Sequence, residues 1–233
     1  MKGLFRMEGP LFDGLSRMAD LIIINLIFVV CCIPVVTAGA ALTGLSYVML
    51  KIKDEEEGYV IKSYFKSFKQ NFRQATVIWL LMLAFAFVLY IDFRMLSLLG
   101  GLFHNVMWVL LFFAVFIWAI LLIYVFPLLS RFDNTIRQTM TNALLIALAN
   151  APQTLLLIFI LGAAVVITFF NYTTIIYSFM FWFLIGFALI AWINAFFLSR
   201  IFRKLMPAEE VEETAEEYEV NTIETPDANS DTE

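Results

Sequence analysis

The chain holds few side chains that could act as nucleophiles, general bases or metal ligands. Its single histidine is His104, and its two cysteines, Cys31 and Cys32, are adjacent within an apolar stretch. Neighbouring residues of a helix point about 100° apart, so these thiols cannot easily close a disulfide and are expected to be small buried hydrophobes. His104, beside Asn105 at a predicted helix start, is expected to be solvated or to cap a helix. Because no CxxC, HExxH or paired histidine and carboxylate spacing occurs, we expect no catalytic, metal or cofactor site and interpret the protein as a non-enzyme.

The most organised polar feature is a basic amphipathic stretch over residues 58–79. Its bases, which lie toward one side of a helix, are Lys62, Lys66, Lys69 and Arg73. The apolar residues toward the other side are Ile61, Tyr64, Phe65, Phe68 and Phe72. This pattern is typical of a helix in the membrane interface, and we expect the stretch to lie flat before it turns into the next span. The bases are interpreted either as a collar that fixes topology or as a docking surface for anionic lipid or a cytoplasmic partner.

A second set of residues is expected either to pack helices together or to line a cavity. Its members are Asn25, Pro34, Gly39, Thr43, Gly44 and Asn194. Gly39 and Thr43, like Ala40 and Gly44, are four residues apart, a spacing that lets helix backbones approach closely. Amides inside membrane helices contribute about 1 kcal/mol each as links between helices. The alternative is that Pro34 and the glycines break a helix whose backbone lines a binding cavity, as in many transporters.

These residues lie within long stretches that hold no charged side chain. Of the 233 residues, 62% are hydrophobic and 15% are charged, and the mean hydropathy is +0.86. A helix needs about 20 residues to cross the hydrocarbon core, which predicts spans over residues 75–91, 105–129, 152–170 and 175–199. Strand-like alternation is absent, which disfavours a barrel. Residues 65–74 and 144–153 both place Asn three positions before Gln, so we expect a second flat helix before the span that begins at Pro152.

Residues 21–50, the first uncharged stretch, admit two interpretations. Pro34 removes a helix hydrogen bond near the middle, so one kinked crossing or two short crossings both fit. Lys and Arg concentrate in cytoplasmic loops. With two crossings and a cytoplasmic N-terminus, all of the 15 Lys and Arg except Arg94 lie on the inner side. We therefore predict an all-α polytopic transmembrane bundle of about six helices with both termini cytoplasmic, the first two helices forming a short hairpin or re-entrant pair broken at Pro34.

The composition divides the chain into two regions. Residues 1–206 form the predicted transmembrane helical domain. Residues 207–233 hold 11 of the 20 acidic residues and no Lys or Arg. Because high charge with low hydrophobicity prevents a packed core, we predict that this second region is an acidic, disordered cytoplasmic tail.

Several stretches resemble the YesL family of small bacterial membrane proteins, which is known mainly as a domain of unknown function. They are GLFRMEGPLF at 3–12, LSRMADLIIINLIFVVCCIPVVTAGAALTGLSYV at 15–48, DEEEGY at 54–59 and SYFKSFKQNFRQAT at 63–76. The block CCIPVVTAGAA is the most specific part, and the resemblance covers residues 1–205. It implies residence in a bacterial plasma membrane. Because members of the family are found beside genes for sugar ABC importers in Gram-positive bacteria, it also implies an association with carbohydrate uptake.

The resemblance and the basic stretch together suggest a non-enzymatic membrane protein that is accessory to carbohydrate uptake. The expected partners are the lipid bilayer and subunits of an ABC importer, and neither nucleic acid nor a cofactor is expected. The alternative is a transporter or channel in its own right. Since the predicted spans lack ionisable side chains, proton- or ion-coupled transport is weakly supported. The oligomeric state is left open.

Overall fold

In a computed structural model, every regular element in the described residues, 10–54, 59–96 and 100–205, is helical. The α-helices are α1 (Pro10–Cys31), α2 (Ala38–Lys53), α3 (Val60–Leu96), α4 (Gly101–Arg131), α5 (Ile136–Ala149), α6 (Ala151–Phe169), α7 (Tyr172–Phe181) and α8 (Phe187–Arg203). A 3₁₀ turn (Val35–Thr37) precedes α2, and a π-helical segment (Trp182–Gly186) joins α7 to α8. The predicted all-α fold is confirmed, while the predicted acidic tail lies outside the described residues.

Six segments are long and apolar enough to cross a membrane. They are Leu15–Cys32, Val35–Lys53, Val60–Leu96, Gly101–Arg131, Ala151–Phe169 and Tyr172–Arg203. The last of these combines α7, the π segment and α8. Helix α5, with 14 residues, is too short to be a further span. The predicted polytopic bundle of six membrane helices is confirmed.

The first uncharged stretch forms two helices and not one kinked helix. Between them, Pro34 has an extended backbone, with φ −76° and ψ 110°. The Thr37 hydroxyl donates to the carbonyl oxygens of Cys31 at 2.5 Å and of Pro34 at 2.8 Å. These bonds occupy carbonyl groups that lack helical partners at the end of α1, so the break between the helices is stable in an apolar environment.

The basic stretch is helical, as predicted, but it does not lie flat as a separate helix before the third span. Helix α3 runs without interruption from Val60 to Leu96, a length of 37 residues. At about 1.5 Å per residue this is about 55 Å, well beyond the hydrocarbon core of about 30 Å. No glycine or proline occurs in this range, and sharp kinks occur mainly at such residues. The bases therefore stand on the same continuous helix that forms the span.

Helix α5 is separate from the span that follows it, in contrast to the start of α3. Asn150 ends α5 with φ −121° and ψ 43°, outside the helical range. Pro152 then lies in the first turn of α6, where a missing backbone N–H is tolerated. Thr135 and Gln138 form a capping box that begins α5. The proposed repeat of a short helix before a span is thus present only at α5 and α6.

Helix α2 is the most buried of the candidate spans, and it packs against α3 and α8. Its glycines permit a very close approach to α3. A Cβ atom added at Gly39 would lie 2.5 Å from both the Ala75 carbonyl oxygen and the Trp79 Cβ. One added at Gly44 would lie 3.1 Å from the Tyr64 carbonyl oxygen. This contact between α2 and α3 fixes which side of α3 faces away from the bundle.

Candidate functional site

The four bases of the amphipathic stretch, Lys62, Lys66, Lys69 and Arg73, are all exposed on the first half of α3. We call them the basic stripe. The buried side of the same turns includes Tyr64, which is 0% exposed and lies beside Gly44. The expectation that Tyr64 rests in lipid is therefore wrong, because the small residue on α2 leaves room for its ring inside the bundle. The apolar residues that remain exposed beside the stripe include Ile61, Phe65 and Phe72.

Three helix ends meet beside Asp54, the residue that follows α2. Its carboxylate accepts hydrogen bonds from Arg131 at 2.9 Å and from Arg203 at 3.3 Å. These arginines lie in the last turns of α4 and α8. The Asp54 side chain is 11% exposed, so solvent screens the nearer pair only partly. Because α2, α4 and α8 end together, the spans between them, α3 and α6, run in the opposite direction, as alternating crossings require.

The basic stripe lies toward this same end of the bundle. Helix α3 begins at Val60, six residues after Asp54. At the end of the stripe, the Gln74 amide donates to the carbonyl oxygen of Asn134 at 2.5 Å. Asn134 belongs to the short connection between α4 and α5. The stripe is thus held against the connection that follows Arg131, and a single end of the molecule carries both the stripe and the Asp54 ion pairs. We call it the basic end.

A large apolar cleft lies among α1, α2, α4, α6, α7 and α8, with a volume of about 870 Å³. Its walls are mainly Leu, Ile, Val and Phe side chains, with Trp79 and Trp182 among them. No charged residue or histidine is found among the described residues that line it. The polar side chains on its walls are Ser46, Thr168 and Asn194. The cleft is large enough for a ligand of ordinary size, but its chemistry suits hydrocarbon.

The residues proposed for packing or a cavity separate into two groups. Asn194 lines the apolar cleft. Gly39, Thr43 and Gly44 do not line it and are buried in α2, where the Thr43 hydroxyl donates to the Gly39 carbonyl oxygen at 2.9 Å. Pro34 forms the turn between α1 and α2 and is not itself a lining residue, although its neighbours Cys32 and Ile33 are. The cavity interpretation therefore applies to Asn194, whereas the small residues of α2 contact another helix.

Asn25 contacts the π segment from inside the bundle. Its amide nitrogen donates to the carbonyl oxygens of Trp182 at 3.0 Å and Phe183 at 2.7 Å. Its amide oxygen accepts from the backbone N–H of Ala188 at 2.9 Å. A π segment disturbs the regular i to i−4 hydrogen bonding and leaves backbone groups that need other partners. Asn25, which is 0% exposed, supplies them and so joins α1 to the wall of the cleft.

The side chains that the sequence analysis considered for catalysis or metal binding are His104, Cys31 and Cys32. The His104 Nδ1 donates to the Leu96 carbonyl oxygen at 3.0 Å, and its Nε2 accepts from the Trp108 indole at 2.9 Å. This histidine therefore joins the end of α3 to the start of α4. Cys31 and Cys32 are unpaired thiols of intermediate burial. Within the described ranges, no group of three or more His, Cys, Asp or Glu side chains could hold a metal ion.

Two features of the site were not predicted from the sequence. Asp54 is followed directly by three glutamates, and no pattern in the sequence marks it as the residue that joins three helix ends. Trp182, whose indole donates to the Thr168 hydroxyl at 2.9 Å, lies in an apolar run. The one local signal of the π segment is Gly186, four residues later, because a Cβ there would lie 2.7 Å from the Trp182 ring.

Comparison with known proteins finds a similarity to one family over part of the chain. Residues 21–93 match the family described as "Protein of unknown function, DUF624". The match runs from the middle of α1 almost to the end of α3, so it includes the contact between α2 and α3 and the basic stripe. No curated protein and no solved structure matches the chain. With its six apolar helices, the chain is a multi-pass membrane protein that is similar, over residues 21–93, to a family of unknown function.

Proposed function

We propose that the protein is a non-enzymatic accessory of a carbohydrate ABC-type importer in the bacterial plasma membrane. It docks on cytoplasmic parts of the importer through the basic stripe. The carbohydrate assignment rests on the resemblance to the YesL family described above. The match of residues 21–93 to a family of unknown function is compatible with it.

The docking proposal rests on one observation: all four bases are exposed on a helix whose opposite face is buried in the bundle. Lys62, Lys66, Lys69 and Arg73 are exposed, while the turns that bear them are fixed by the contact of Tyr64 with α2. A surface of this kind presents charge in a constant arrangement, which favours recognition of an acidic partner surface. Exposed Phe65 and Phe72 beside the bases add apolar contact area.

The proposal requires that the basic end faces the cytoplasm. Among the described residues, all Lys and Arg except Arg94 lie in segments that six crossings would leave on the side of the basic end. Cytoplasmic segments of membrane proteins carry this excess of Lys and Arg. Both termini are then cytoplasmic as well. Anionic lipid at the inner surface attracts the same bases, so the stripe also holds the start of α3 close to the bilayer.

The alternative function, a transporter or channel for the sugar itself, has less support. A pathway for an oligosaccharide needs polar partners for many hydroxyl groups, because an unpaired buried hydroxyl costs about 1–3 kcal/mol. The apolar cleft offers Ser46, Thr168 and Asn194 alone as polar side chains among its described lining residues. It therefore lacks the hydrogen-bonding groups of a sugar pathway.

The test is copurification from native membranes in mild detergent, with importer subunits quantified by mass spectrometry. The variant Lys66→Glu with Lys69→Glu reverses two charges of the stripe, and we expect recovery of importer subunits to fall at least about fivefold. The matched control is Arg200→Glu with Lys204→Glu, which makes the same change in charge at two exposed positions, one in the last turn of α8 and one directly after it.

The control separates a specific surface from general attraction. If both double variants lose importer subunits equally, net charge explains the binding and the stripe does not. Undiminished recovery with the stripe variant, at equal expression, contradicts docking through α3. Flux of an oligosaccharide into liposomes that contain only this protein would favour the transporter instead.

A further inference from the structure

The apolar cleft is long enough for a single lipid chain. Along α6 its lining residues extend from Leu157 to Phe169, which is about 18 Å at about 1.5 Å per residue. On the last span they extend from Ile175 through the π segment to Leu198, which is about 35 Å along the helix. One leaflet of the hydrocarbon core is about 15 Å thick, so the cleft has room for the chain of one leaflet. We propose that the cleft is a binding site for an uncharged single-chain lipid whose hydroxyl or carbonyl group hydrogen-bonds to Asn194.

The polar group that selects the lipid head is the Asn194 amide. No hydrogen bond to its side chain occurs within the part of the chain that the structure describes. The other polar side chains of the cleft already have partners. The Ser46 hydroxyl donates to the Leu42 carbonyl oxygen at 2.8 Å. The Thr168 hydroxyl donates to the Ala164 carbonyl oxygen at 2.8 Å and accepts from Trp182. Asn194 alone therefore keeps both a donor and an acceptor for a ligand.

The position of Asn194 sets the orientation of the bound lipid. Asn194 is one helical turn before Leu198, at the end of the cleft nearer the basic end. Toward the opposite end the walls are apolar side chains of α6 and α7, among them Leu161, Val165 and Phe179. The head group of the lipid thus meets Asn194, and its chain extends along α6 toward the turn that precedes α7.

The lining chemistry restricts the ligand to an uncharged lipid. A fatty-acid carboxylate or a phospholipid head needs a cation or several hydrogen-bond donors. Burying such a charge without them costs far more free energy than hydrogen bonding to one amide contributes. The described lining residues include no Lys, Arg or His. An alcohol or an ester carbonyl needs only one or two hydrogen bonds, which a single amide provides.

The cleft is open to the bilayer between α6 and α8, which make few contacts with each other. Lining residues of α6 and α7 are themselves exposed, including Val165, Ile175 and Phe179. In a membrane this opening faces lipid chains, so a single-chain lipid can enter sideways without passing through water.

The test uses hexadecanol with a photoactivatable diazirine in the middle of its chain, bound to the intact protein in phosphatidylcholine nanodiscs. After irradiation, we expect labelled peptides to carry the label at shielded cleft residues such as Leu157 and Leu161. Phe159 and Val166 face outward from α6 and are 72% and 63% exposed, so they report ordinary contact with bulk lipid. At equal mole fraction, unlabelled hexadecanol should compete about tenfold better than hexadecane, as one added hydrogen bond predicts.

Two variants separate the head-group contact from the volume of the cleft. In Asn194→Leu, unlabelled hexadecanol should compete less than about twofold better than hexadecane, while labelling of the cleft persists. Ala191→Trp places a large ring in the cleft and should abolish cleft labelling. Its matched control is Gly162→Trp, because a side chain at Gly162 meets nothing within 4 Å, and labelling should be unchanged.

Three outcomes would overturn the proposal. The first is equal labelling of Phe159, Val166 and the cleft, which means that only bulk lipid is bound. The second is equal competition by hexadecane and hexadecanol in the wild-type protein. The third is stronger competition by palmitate than by hexadecanol, which indicates an anion site. Asn194→Leu keeps the test decisive if Ala191→Trp does not fold, since it removes polar atoms without adding bulk.

Discussion

The two ends of the bundle are held together in different ways. At the basic end, Asp54 joins residues far apart in sequence, with Arg131 77 positions away and Arg203 149 positions away. At the other end, the turn between α3 and α4 is closed by His104, which bonds to Leu96 only eight positions away. The turn between α6 and α7 is closed by Asn171 and Thr174, which cap α7 reciprocally.

The difference shows where the molecule keeps a fixed arrangement of several helices. Ion pairs at Asp54 hold the ends of α2, α4 and α8 in one geometry, and a surface at that end keeps its shape. Away from the basic end, the α3–α4 and α6–α7 hairpins are fastened mainly to themselves, and the α3–α4 hairpin packs through a small separate cluster that includes Leu89 and Leu111. In the described part of the chain, the turn between α1 and α2 has a single hydrogen bond to α3, from the Trp79 indole to the Val35 carbonyl oxygen at 2.8 Å. A docking surface benefits from the first arrangement, since a fixed surface loses less entropy on binding.

The largest effect is expected from weakening the close contact that holds α3 against α2. Gly39→Ala places a Cβ 2.5 Å from the Ala75 carbonyl oxygen, and a backbone atom cannot move aside without shifting α3. We expect a loss of about 2 kcal/mol in the free energy of unfolding, measured by denaturation in mixed micelles. Gly162→Ala is the control, because its Cβ meets no atom within 4 Å. Equal losses in the two variants would contradict the importance of the close approach.

Removal of the ion pairs at the basic end should have the next largest effect. Asp54→Ala removes the carboxylate that accepts a hydrogen bond from Arg131 at 2.9 Å, and the Arg131 side chain is only 17% exposed. We expect a loss of about 2 kcal/mol or somewhat less, since Arg203 is exposed and regains water. Thermal denaturation in detergent at low and high salt measures it, and a stability equal to that of the wild type would show that the three helix ends do not depend on Asp54.

The opposite end should respond less and more locally. His104→Ala removes the hydrogen bonds to Leu96 and Trp108, which predicts a loss of about 1 kcal/mol. Hydrogen exchange should rise around the turn between α3 and α4 while protection at α2 is unchanged. Faster exchange throughout α2 would contradict the view that the two ends are held independently.

The smallest effect on stability is expected where the proposed function resides. Lys66→Glu with Lys69→Glu changes exposed side chains on α3, so the free energy of unfolding should change by less than about 0.5 kcal/mol. The same variant should lose importer subunits in copurification. A large loss of stability would mean that the stripe is a structural part of the bundle, and the binding result would then have to be discounted.

Much of the architecture could be predicted because it depends on local properties of the sequence. Charge-free stretches of sufficient length predicted the spans, and Pro34 predicted the break between α1 and α2, since a proline interrupts a helix whatever surrounds it. The missed continuity of α3 was also present in the sequence, as no glycine or proline occurs from Val60 to Leu96. An amphipathic pattern shows which side of a helix is apolar, but not how the helix is oriented in the membrane.

The candidate sites were less predictable because they depend on contacts between distant parts of the chain. Tyr64 reads as a lipid-facing aromatic until Gly44 of α2 is placed beside it. Asn25 was expected to link helices, but its partners are backbone groups that only the π segment leaves available. The apolar cleft has no signature in the sequence, because it forms where large side chains on several helices leave a gap.

The central claim is that the basic end of the bundle faces the cytoplasm, and cysteine labelling in intact cells tests it most directly. Tyr59→Cys, just before α3, and Gly100→Cys, just before α4, place exposed thiols at the two ends of α3 in a background where Cys31 and Cys32 are alanine. A membrane-impermeant maleimide should label Gly100→Cys in intact cells and Tyr59→Cys only after permeabilisation. Labelling of Tyr59→Cys in intact cells would place the basic stripe outside and contradict docking on a cytoplasmic partner.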